Sequence, residues 1–237
     1  MPKFFAQDIK KGKYIITGED AAHISFSLRM KRGDTLTFCD GHETDYPCVI
    51  DDMRTGEVLV DAGEPLPCQT EHRTKLTLYQ GMPKSDKFEN IIQKAVELGA
   101  YKIVPVVTAR SVSRPDEKSS ARKKVRWEKH SLEAAKQSMR GIVPQIGDAI
   151  SFDAMLKLIS AHEKAVIFYE GGGVSLKEIL IAPISDIAVV IGPEGGFDER
   201  EVATAEAIGA VRATLGPRIL RTETASLAAI SIILNSL

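Results

Sequence analysis

The chain has 237 residues, of which 43% are hydrophobic and 27% charged, as in ordinary globular proteins, and this excludes a disordered chain, a collagen-like chain and a coiled coil. No apolar run reaches the roughly 18 residues that span a bilayer, and the first residues lack the apolar core of a secretion signal. We therefore expect a cytoplasmic protein that does not enter a membrane. Its three cysteines lack C-x-x-C spacing, which argues against a disulfide framework and a zinc site, so we expect no metal.

The net charge of −1 hides an uneven distribution along the chain. Residues 1–71 hold 8 basic and 13 acidic side chains, residues 72–150 hold 16 and 8, and residues 151–237 hold 7 and 11. A basic middle third in a nearly neutral chain suggests a local surface for a polyanion. A solvated helix face that happens to be basic explains the charge equally well.

The first 60 residues are predicted to be rich in short strands. Strands are expected at Leu36–Cys39, Val49–Ile50 and Val58–Val60, and a short helix is expected around His23–Met30. Short strands separated by glycine turns favour a small barrel. The stretch 61–73 is rich in proline and polar residues, so we place a domain boundary near residue 71. The predicted domains are 1–71 and 72–237.

From Leu76 onward, strands and helices are predicted to alternate. Such alternation favours an α/β domain with a parallel sheet and helices on both faces. Ser85 is a candidate N-cap, and Asp198 with Glu201 forms a candidate capping box. The expected strands are Leu76–Gln80, Lys102–Val107, Ala165–Tyr169, Ile187–Ile191 and Val211–Leu215, and the expected helices begin at Ser85, Ala121, Asp198 and Thr222.

Three glycine-rich loops that follow predicted strands form the candidate ligand site: 170–173, 192–197 and 216–221. Ligands of open α/β sheets bind beyond the carboxyl ends of the strands, and glycine permits close approach to the backbone. Any one of the loops could be a structural turn, but three together favour a function. The P-loop, the dinucleotide fingerprint and the nucleophile elbow are absent from the sequence. We therefore predict a ligand held mainly by backbone atoms.

Residues around two of these loops resemble a known family. Ile191–Phe197 and Leu215–Ala225 are similar to the two C-terminal motifs of the RsmE family, whose members are methyltransferases of the SPOUT superfamily. Gln93–Gly99, and Gln137 with Arg140, resemble its middle motifs. The residues that resemble its N-terminal domain are His23, Leu28–Met30, Gly33 and Asp40–Gly41. The resemblance covers nearly the whole chain.

The resemblance implies a fold of two parts. Residues 1–71 would form a PUA-like, RNA-binding β-barrel, and residues 72–237 a SPOUT methyltransferase domain with a parallel sheet and a deep trefoil knot. The implied activity is S-adenosylmethionine-dependent methylation of N3 of a specific uridine in 16S ribosomal RNA, with that RNA or the small ribosomal subunit as partner. A homodimer is also implied. Its contact is expected on one face of the last helix, formed by Leu227, Ile230, Ile233 and Leu234.

The same resemblance places S-adenosylmethionine against the glycine loops. We expect Arg221 to stabilise the oxyanion that develops on the base and Glu223 to accept or relay a proton. The alternative is a buried ion pair between these two residues. Glu194 is expected to order its loop by bonding backbone amides. The implied cofactor-binding residues are Tyr169, Glu170, Gly171, Ile191, Gly192, Pro193, Glu194, Gly195, Gly196, Leu215, Gly216, Ile219, Leu220, Arg221, Thr222, Thr224 and Ala225.

A stripe of cations on the helix predicted at Ala121–Met139 is the expected RNA-binding surface. Its members recur at spacings of three, four or seven, and the sequence shows no acids that match them. They are Lys118, Arg122, Arg126, Lys129, Lys136 and Arg140. The predicted RNA-binding residues are Arg29, Arg122, Arg126, Lys129 and Arg140. Lys3, Lys136 and Met139–Ile142 depart from the family's pattern in the expected RNA-facing region, so we expect them to affect RNA contact and to leave cofactor binding intact.

Two other functions remain open at this point. The first is a SPOUT ribose 2′-O-methyltransferase, which would leave its methyl group on the sugar instead of the base. The second is a non-catalytic RNA-binding assembly factor, which would not bind S-adenosylmethionine.

Overall fold

The computed structural model describes residues 1–84, 87–112 and 117–237, with side chains from Ser119 onward in the last range. The chain divides into two compact units. The first unit contains Met1–Glu71 and Ala135–Val143, and the second contains His72–Ala134 and Pro144–Leu237. Ala135–Val143 lies within the predicted second domain, so the first unit is larger than the sequence suggests. Ser85, the predicted N-cap, lies outside the described residues.

The first unit is built on a six-stranded sheet. Its sheet follows the order β1-β3-β4-β5-β2, with β6 beside β4; β1 and β3 are parallel and the other pairs are antiparallel. The sheet is open, because β1 and β2 lie at its two ends and are not paired with each other. The closed barrel predicted from the sequence is therefore not formed by the strands of this unit. The strands are β1 Lys3–Phe5, β2 Gly12–Thr17, β3 Thr35–Cys39, β4 Thr44–Arg54, β5 Glu57–Ala62 and β6 Leu66–Pro67. Helix α1 spans Gly18–Ala22 and continues into a short π-helix, His23–Ser27.

Alternating residues of these strands form the core of the first unit. In β5, Val58 and Val60 are fully buried, whereas Leu59 between them is partly exposed and Asp61 after them is exposed. Phe4 of β1 stacks on Phe38 of β3 with ring centroids 5.5 Å apart. All three strands predicted in this part of the chain are present, although Val49–Ile50 is only a part of the long β4.

The segment Ala135–Val143 is held in the first unit by a buried ion pair. The guanidinium of Arg140 donates to both carboxylate oxygens of Glu71, with N–O distances of 2.8 and 2.7 Å, and the amide of Gly141 donates to Glu71 at 2.6 Å. Arg140 is only 2% exposed. A Cβ added to Gly141 would lie 2.8 Å from Sγ of Cys68, so this segment packs closely against the rest of the unit.

The second unit is a parallel α/β sheet, as predicted. Its strands follow the order β10-β8-β7-β13-β11-β14-β12, with β9 beside β8, and all pairs are parallel. The strands are β7 Lys75–Gly81, β8 Lys102–Val107, β9 Gln145–Ile146, β10 Ile150–Ser151, β11 Lys164–Phe168, β12 Val174–Ser175, β13 Asp186–Ile191 and β14 Val211–Thr214. The helices are α2 Lys87–Glu97, α3 Glu117–Gln137, α4 Phe152–Ile159, α5 Leu176–Ile179, α6 Glu199–Ala207 and α7 Thr222–Ser236.

Helices cover both faces of this sheet. Tyr79 and Gln80 are consecutive in β7 and therefore point to opposite faces. Tyr79 packs in a core that includes Phe152 of α4 and Val202 of α6, whereas Gln80 bonds to residues of α7. The continuous apolar sequence of β13, in which Ile187 to Ile191 are buried, is typical of a parallel strand covered on both sides.

The last helix differs from the prediction in what covers its apolar face. Ile230 and Ile233 are fully buried and Leu234 is 6% exposed within this chain, because α7 packs on α2, β7 and β13. The argument that this face needs a partner subunit is therefore wrong. Among the apolar residues that α7 leaves exposed is Ile232, at 43%.

The described residues contain neither a membrane-spanning helix nor a metal-binding cluster. None of the helices described is long and apolar enough to cross a bilayer. No group of three or more histidine, cysteine or acidic side chains that could hold a metal ion occurs in the part of the chain that the structure describes.

Candidate functional site

The three glycine-rich loops lie side by side at one edge of the sheet. They follow β11, β13 and β14, which are neighbours in the order β13-β11-β14. Because all strands are parallel, the loops emerge at the same carboxyl edge, which is where α/β sheets bind ligands. Strand β7 adjoins β13 and ends at the same edge with Gln80 and Gly81.

The loop after β13 is packed closely against the end of β7. A Cβ added to Gly81 would lie 2.5 Å from the backbone nitrogen of Pro193, so only glycine permits this approach. The loop is closed by a hydrogen bond from the amide of Gly196, at φ +66°, to the carbonyl of Pro193 at 2.9 Å. Phe197, 1% exposed, anchors the end of the loop in the core. Arg110 donates to the carbonyl of Gly195 at 3.1 Å.

A buried polar network joins this loop to α7. The amide nitrogen of Gln80 donates to Oγ1 of Thr222 at 2.9 Å, and Thr222 donates to the carbonyl of Gly192 at 2.5 Å. The hydroxyl of Ser226 donates to the amide oxygen of Gln80. Gln80 and Ser226 are fully buried and Thr222 is 5% exposed, so each of these contacts is costly to lose. The network fixes the N-terminal turn of α7 against the loop.

Sequence reasoning missed Gln80 and Ser226. The available signal was a lone amide side chain within the apolar run of a strand predicted to be buried on both faces. Such a group requires hydrogen-bond partners, and the partners come from elements more than 100 residues away along the chain.

Lys87, at the start of α2, bridges two carboxylates of the site. Its Nζ lies 3.3 Å from Glu194, in the loop after β13, and 3.5 Å from Glu223, in the first turn of α7. Burial raises the pKa of Glu194, but bonds from its own amide and from the amide of Lys84, together with Lys87, outweigh burial and lower its pKa below the ordinary value. Glu194 accepts from the Lys84 amide at 3.1 Å, as expected for a residue that orders a loop. Lys87 was not predicted.

Arg221 and Glu223 do not form an ion pair with each other. Glu223 contacts Lys87 instead, and Arg221 is the exposed residue that precedes α7. No side-chain partner of Arg221 occurs among the described residues. The alternative of a buried Arg221–Glu223 pair is therefore wrong. Arg221 is left accessible to a ligand, and Glu223 is fixed beside a cation.

The remaining predicted cofactor residues line the same loops. Tyr169 bonds by its amide to Ala213 of β14 at 3.1 Å, and its ring packs on the core. The Glu170 carboxylate lies beside the α-carbon of Gly196, so the loops after β11 and β13 are in contact. Ile191 and Pro193 are buried, and Ile219 is 86% exposed. Gly171, Gly216 and Thr224 are exposed, and Leu215, Leu220 and Ala225 are partly exposed.

The predicted RNA-binding residues are not one stripe. Arg122 and Lys129 are exposed on α3, and Arg126 is exposed but lies 2.5 Å from Glu89.

Helix α3 ends at Gln137, so Arg140 lies beyond it and is buried with Glu71 in the first unit. Two further members also differ: Lys136 pairs with Asp20 at 2.8 Å, and the side chain of Lys118 lies outside the described residues. Arg29 is exposed in the first unit, at φ +52°.

Comparison with known proteins identifies the family. A family model described as an RNA methyltransferase domain matches residues 70–234. "Ribosomal RNA small subunit methyltransferase E" of Bacillus subtilis (strain 168) is 37% identical over 93% of this chain and 89% of its own length. The chain belongs to the RsmE family. The protein of the same name from Mesomycoplasma hyopneumoniae (strain 232) is 31% identical over 96% of both chains.

The family resemblance extends to the solved structures. The crystal structure of a ribosomal RNA small subunit methyltransferase E from Neisseria gonorrhoeae, bound to S-adenosyl methionine, superposes with a TM-score of 0.90. That match is 28% identical and covers 99% of this chain and 97% of the other. The RsmE fold thus extends over both units of the chain.

Proposed function

We propose that this protein transfers a methyl group from S-adenosylmethionine to N3 of a uridine in 16S ribosomal RNA. The observation that carries the proposal is the cluster of three glycine-rich loops on adjacent parallel strands, with Arg221 and Glu223 at its border. Two relatives that carry the name of a small-subunit RNA methyltransferase, and a relative with bound S-adenosyl methionine, support it. Bacterial ribosomal RNA is located in the cytoplasm, so a protein that methylates it is expected there as well.

The loops fit a cofactor that is held by backbone atoms. A Cβ added to Gly172 or to Gly216 would meet no atom within 4 Å, and both residues have positive φ, 95° and 102°. Their backbones are therefore open to a ligand, in conformations that other residues rarely adopt. Glu170, on the neighbouring loop, offers an acceptor for hydroxyl or ammonium groups. S-adenosylmethionine, when bound, supplies the methyl group.

Two side chains at the start of α7, those of Arg221 and Glu223, would act on the uridine. The N3–H of uridine is a weakly acidic imide, so the base must lose this proton as N3 is methylated. Glu223, an acceptor once ionised, would take the proton. Arg221 would donate hydrogen bonds to the base oxygen on which negative charge develops. Lys87 and the buried Gln80–Thr222–Ser226 network hold the first turn of α7, and with it both side chains, beside the loop after β13.

Further parts of the proposal concern RNA binding and assembly. Exposed Arg29, Arg122 and Lys129 would contact RNA phosphates, whereas Arg126 is already paired with Glu89. The first unit would act as the PUA-like RNA-binding part. The proposal includes a knotted C-terminal region of the SPOUT type, in which α7, bonded to β7 and to the loop after β13, would belong to the threaded end of the chain. A homodimer would cover the exposed residues of α7 that include Ile232.

Nucleoside mass analysis of ribosomal RNA tests the proposal. RNA from a bacterial strain that lacks its own family member is compared with RNA from the same strain expressing this chain. We expect 3-methyluridine only with the chain, and calorimetry should show that the purified protein binds S-adenosylmethionine. A 2′-O-methylated nucleoside instead would contradict the N3 assignment. No new modification together with no cofactor binding would indicate a non-catalytic assembly factor.

A further inference from the structure

Residues 26–32 of the first unit present an aromatic ring among cations at the surface. Phe26 is 80% exposed and Leu28 is 40% exposed. Arg29, Lys31 and Arg32 are also exposed, and these seven residues include no acid. Two carboxylates from outside the segment approach these three cations: that of Asp51 in β4 lies 4.0 Å from Arg32, and that of Asp34 accepts from the backbone amide of Lys31. The segment is therefore locally basic, although residues 1–71 carry a net negative charge.

The backbone of this segment is held in place. The amide of Leu28 donates to His23 at 2.9 Å, that of Met30 to Ile24 at 3.1 Å, and that of Lys31 to the carboxylate of Asp34 at 2.7 Å. Ile24 is fully buried, and Met30 packs on the core of the unit. The ring of Phe26 thus projects from an anchored π-helix, His23–Ser27, rather than from an unattached loop.

Two backbone features indicate that this arrangement serves a purpose. Single π-helical turns are rare and occur often at functional sites. Arg29 adopts a left-handed conformation, φ +52°, which is unfavourable for a residue with a side chain and is found where function requires it. The apolar ring of Phe26 is also left in contact with water, although its burial would be favourable. The fold therefore maintains the exposed ring and the adjacent cations at a cost in stability.

We propose that Phe26 stacks on an unpaired base of RNA, while Arg29, Lys31 and Arg32 contact the neighbouring phosphates. The inference rests on the proposed RNA methyltransferase function and specifies how that RNA is bound. A nucleotide with a splayed base matches both features, since the base offers a flat π surface and the phosphate offers negative charge. A fully paired duplex offers no free base face on which the Phe26 ring could stack, because its bases are already stacked on each other.

The test measures binding of a fluorescein-labelled short oligouridine to the full-length protein. Phe26→Ala should weaken this binding at least about fivefold, the lower end for loss of one stacked base. Phe26→Leu should weaken it similarly, because leucine is apolar but has no π face. Phe26→Trp should retain the affinity, and oligouridine should quench its added fluorescence relative to the parent, whose single tryptophan, Trp127, is 4% exposed.

Ile15→Ala serves as the matched control, since Ile15 is an exposed apolar residue of β2 in the same unit, 56% accessible. It should leave oligouridine binding unchanged. Unchanged affinity of Phe26→Ala, or parental affinity of Phe26→Leu, would overturn the proposal. Equal binding of a fully paired RNA duplex would also overturn it. A change of mass by light scattering in Phe26→Ala, with RNA affinity intact, would instead identify a second copy of the chain as the occupant.

The proposed methylation is tested separately by calorimetry with S-adenosylmethionine. Because Phe26 belongs to the first unit and the glycine loops to the second, its variants should bind the cofactor like the parent. A parent that binds oligouridine through Phe26 but does not bind the cofactor would refute the methyltransferase function alone. If the parent binds the cofactor and Phe26→Ala has the same affinity for oligouridine as the parent, only the stacking proposal is refuted.

Discussion

Arg221 and Glu223 lie two residues apart at the start of α7, yet their surroundings differ. Glu223 sits beside the ammonium of Lys87, whereas Arg221 is exposed. A carboxylate held by a cation keeps a defined position, and an unengaged guanidinium can reach an incoming base. For the proposed methylation, this difference favours Glu223 as the proton acceptor and Arg221 as the residue that stabilises charge.

Replacing Glu223 by glutamine removes the proton acceptor but preserves the size of the side chain. We expect kcat for methylation to fall about a hundredfold or more, the usual contribution of a general base. The affinity for S-adenosylmethionine, measured by calorimetry, should stay at the parental value because the glycine loops are unchanged. Glu199→Gln, at an exposed acid in the first turn of α6, is the control and should keep full activity. Parental kcat in Glu223→Gln would exclude this residue as the base.

At the scale of elements, the loop after β13 connects the site to the sheet. Gly195 stands at its tip, and a Cβ there would lie 3.2 Å from Cβ of Arg110. The backbone of Arg110 lies at 3.5 Å as well, so an added side chain requires a shift of a few tenths of an ångström there. Arg110 is about half exposed, and we expect the fold to accommodate this small shift. A ligand that approaches the backbone at this point would not.

Gly195→Val should therefore abolish measurable S-adenosylmethionine binding while the thermal unfolding temperature stays close to that of the parent. Calorimetry measures the first quantity and circular dichroism the second. Gly195→Ala should give an intermediate affinity, because its side chain is smaller. If valine at this position left the affinity intact, the loop after β13 would not be where the cofactor binds.

The ion pair between Arg140 and Glu71 is a buried polar contact between Ala135–Val143 and the rest of the first unit. Burial raises the pKa of Glu71, but Arg140 and the amides of Gly141 and Ile142 outweigh it and hold the pKa below its ordinary value. A lowered carboxyl pKa in the folded state stabilises the fold above the unfolded-state pKa, near 4.5. That stabilisation is lost as the pH falls through the lower, folded-state pKa.

Arg140→Met should lower the free energy of unfolding at neutral pH by about 3 to 5 kcal/mol, since it leaves a buried carboxylate without its partner. The double variant Arg140→Met with Glu71→Gln should recover part of this loss, and its stability should fall less on acidification than that of the parent. Urea titrations at neutral pH and below pH 4.5 measure both effects. Equal stability of the parent and Arg140→Met would show that this pair does not hold the segment.

The elements themselves were largely predictable, and the contacts between them were not. Uninterrupted apolar runs such as Ile187–Ile191 predict buried parallel strands, and the capping box predicted at Asp198 and Glu201 is present at the start of α6. The end of α3 at Gln137 was missed, because neither proline nor glycine occurs until Gly141. The partners of Gln80 and Lys87 also could not be predicted, because periodicity does not report contacts between distant segments.

For the whole molecule, charge is the property most relevant to RNA. Arg122 and Lys129 are exposed on α3, and no ion-pair partner of either occurs among the described residues. Arg126 and Lys136 instead contact acids of their own units. The surface available to RNA on α3 is therefore narrower than the sequence suggests.

Replacing both Arg122 and Lys129 by glutamine should weaken binding to ribosomal RNA and reduce its salt dependence. Each lost phosphate contact lowers the slope of log affinity against log salt by about 0.7 to 0.9. The unfolding temperature should hardly change, since exposed charges contribute little to stability. Lys177→Gln, an exposed residue of α5, is the control. Parental affinity and slope in the double variant would mean that α3 does not contact the RNA.

The first unit is formed from two separate segments of the chain, and this limits where the protein can be truncated or recombined. The chain passes from one unit to the other after Glu71, Ala134 and Val143, so the first unit is not one continuous stretch of the gene. A fragment that stops at Glu71 would carry a buried glutamate without Arg140 and the amide of Gly141. A chimera that exchanges the first unit between family members must therefore exchange Ala135–Val143 together with Met1–Glu71.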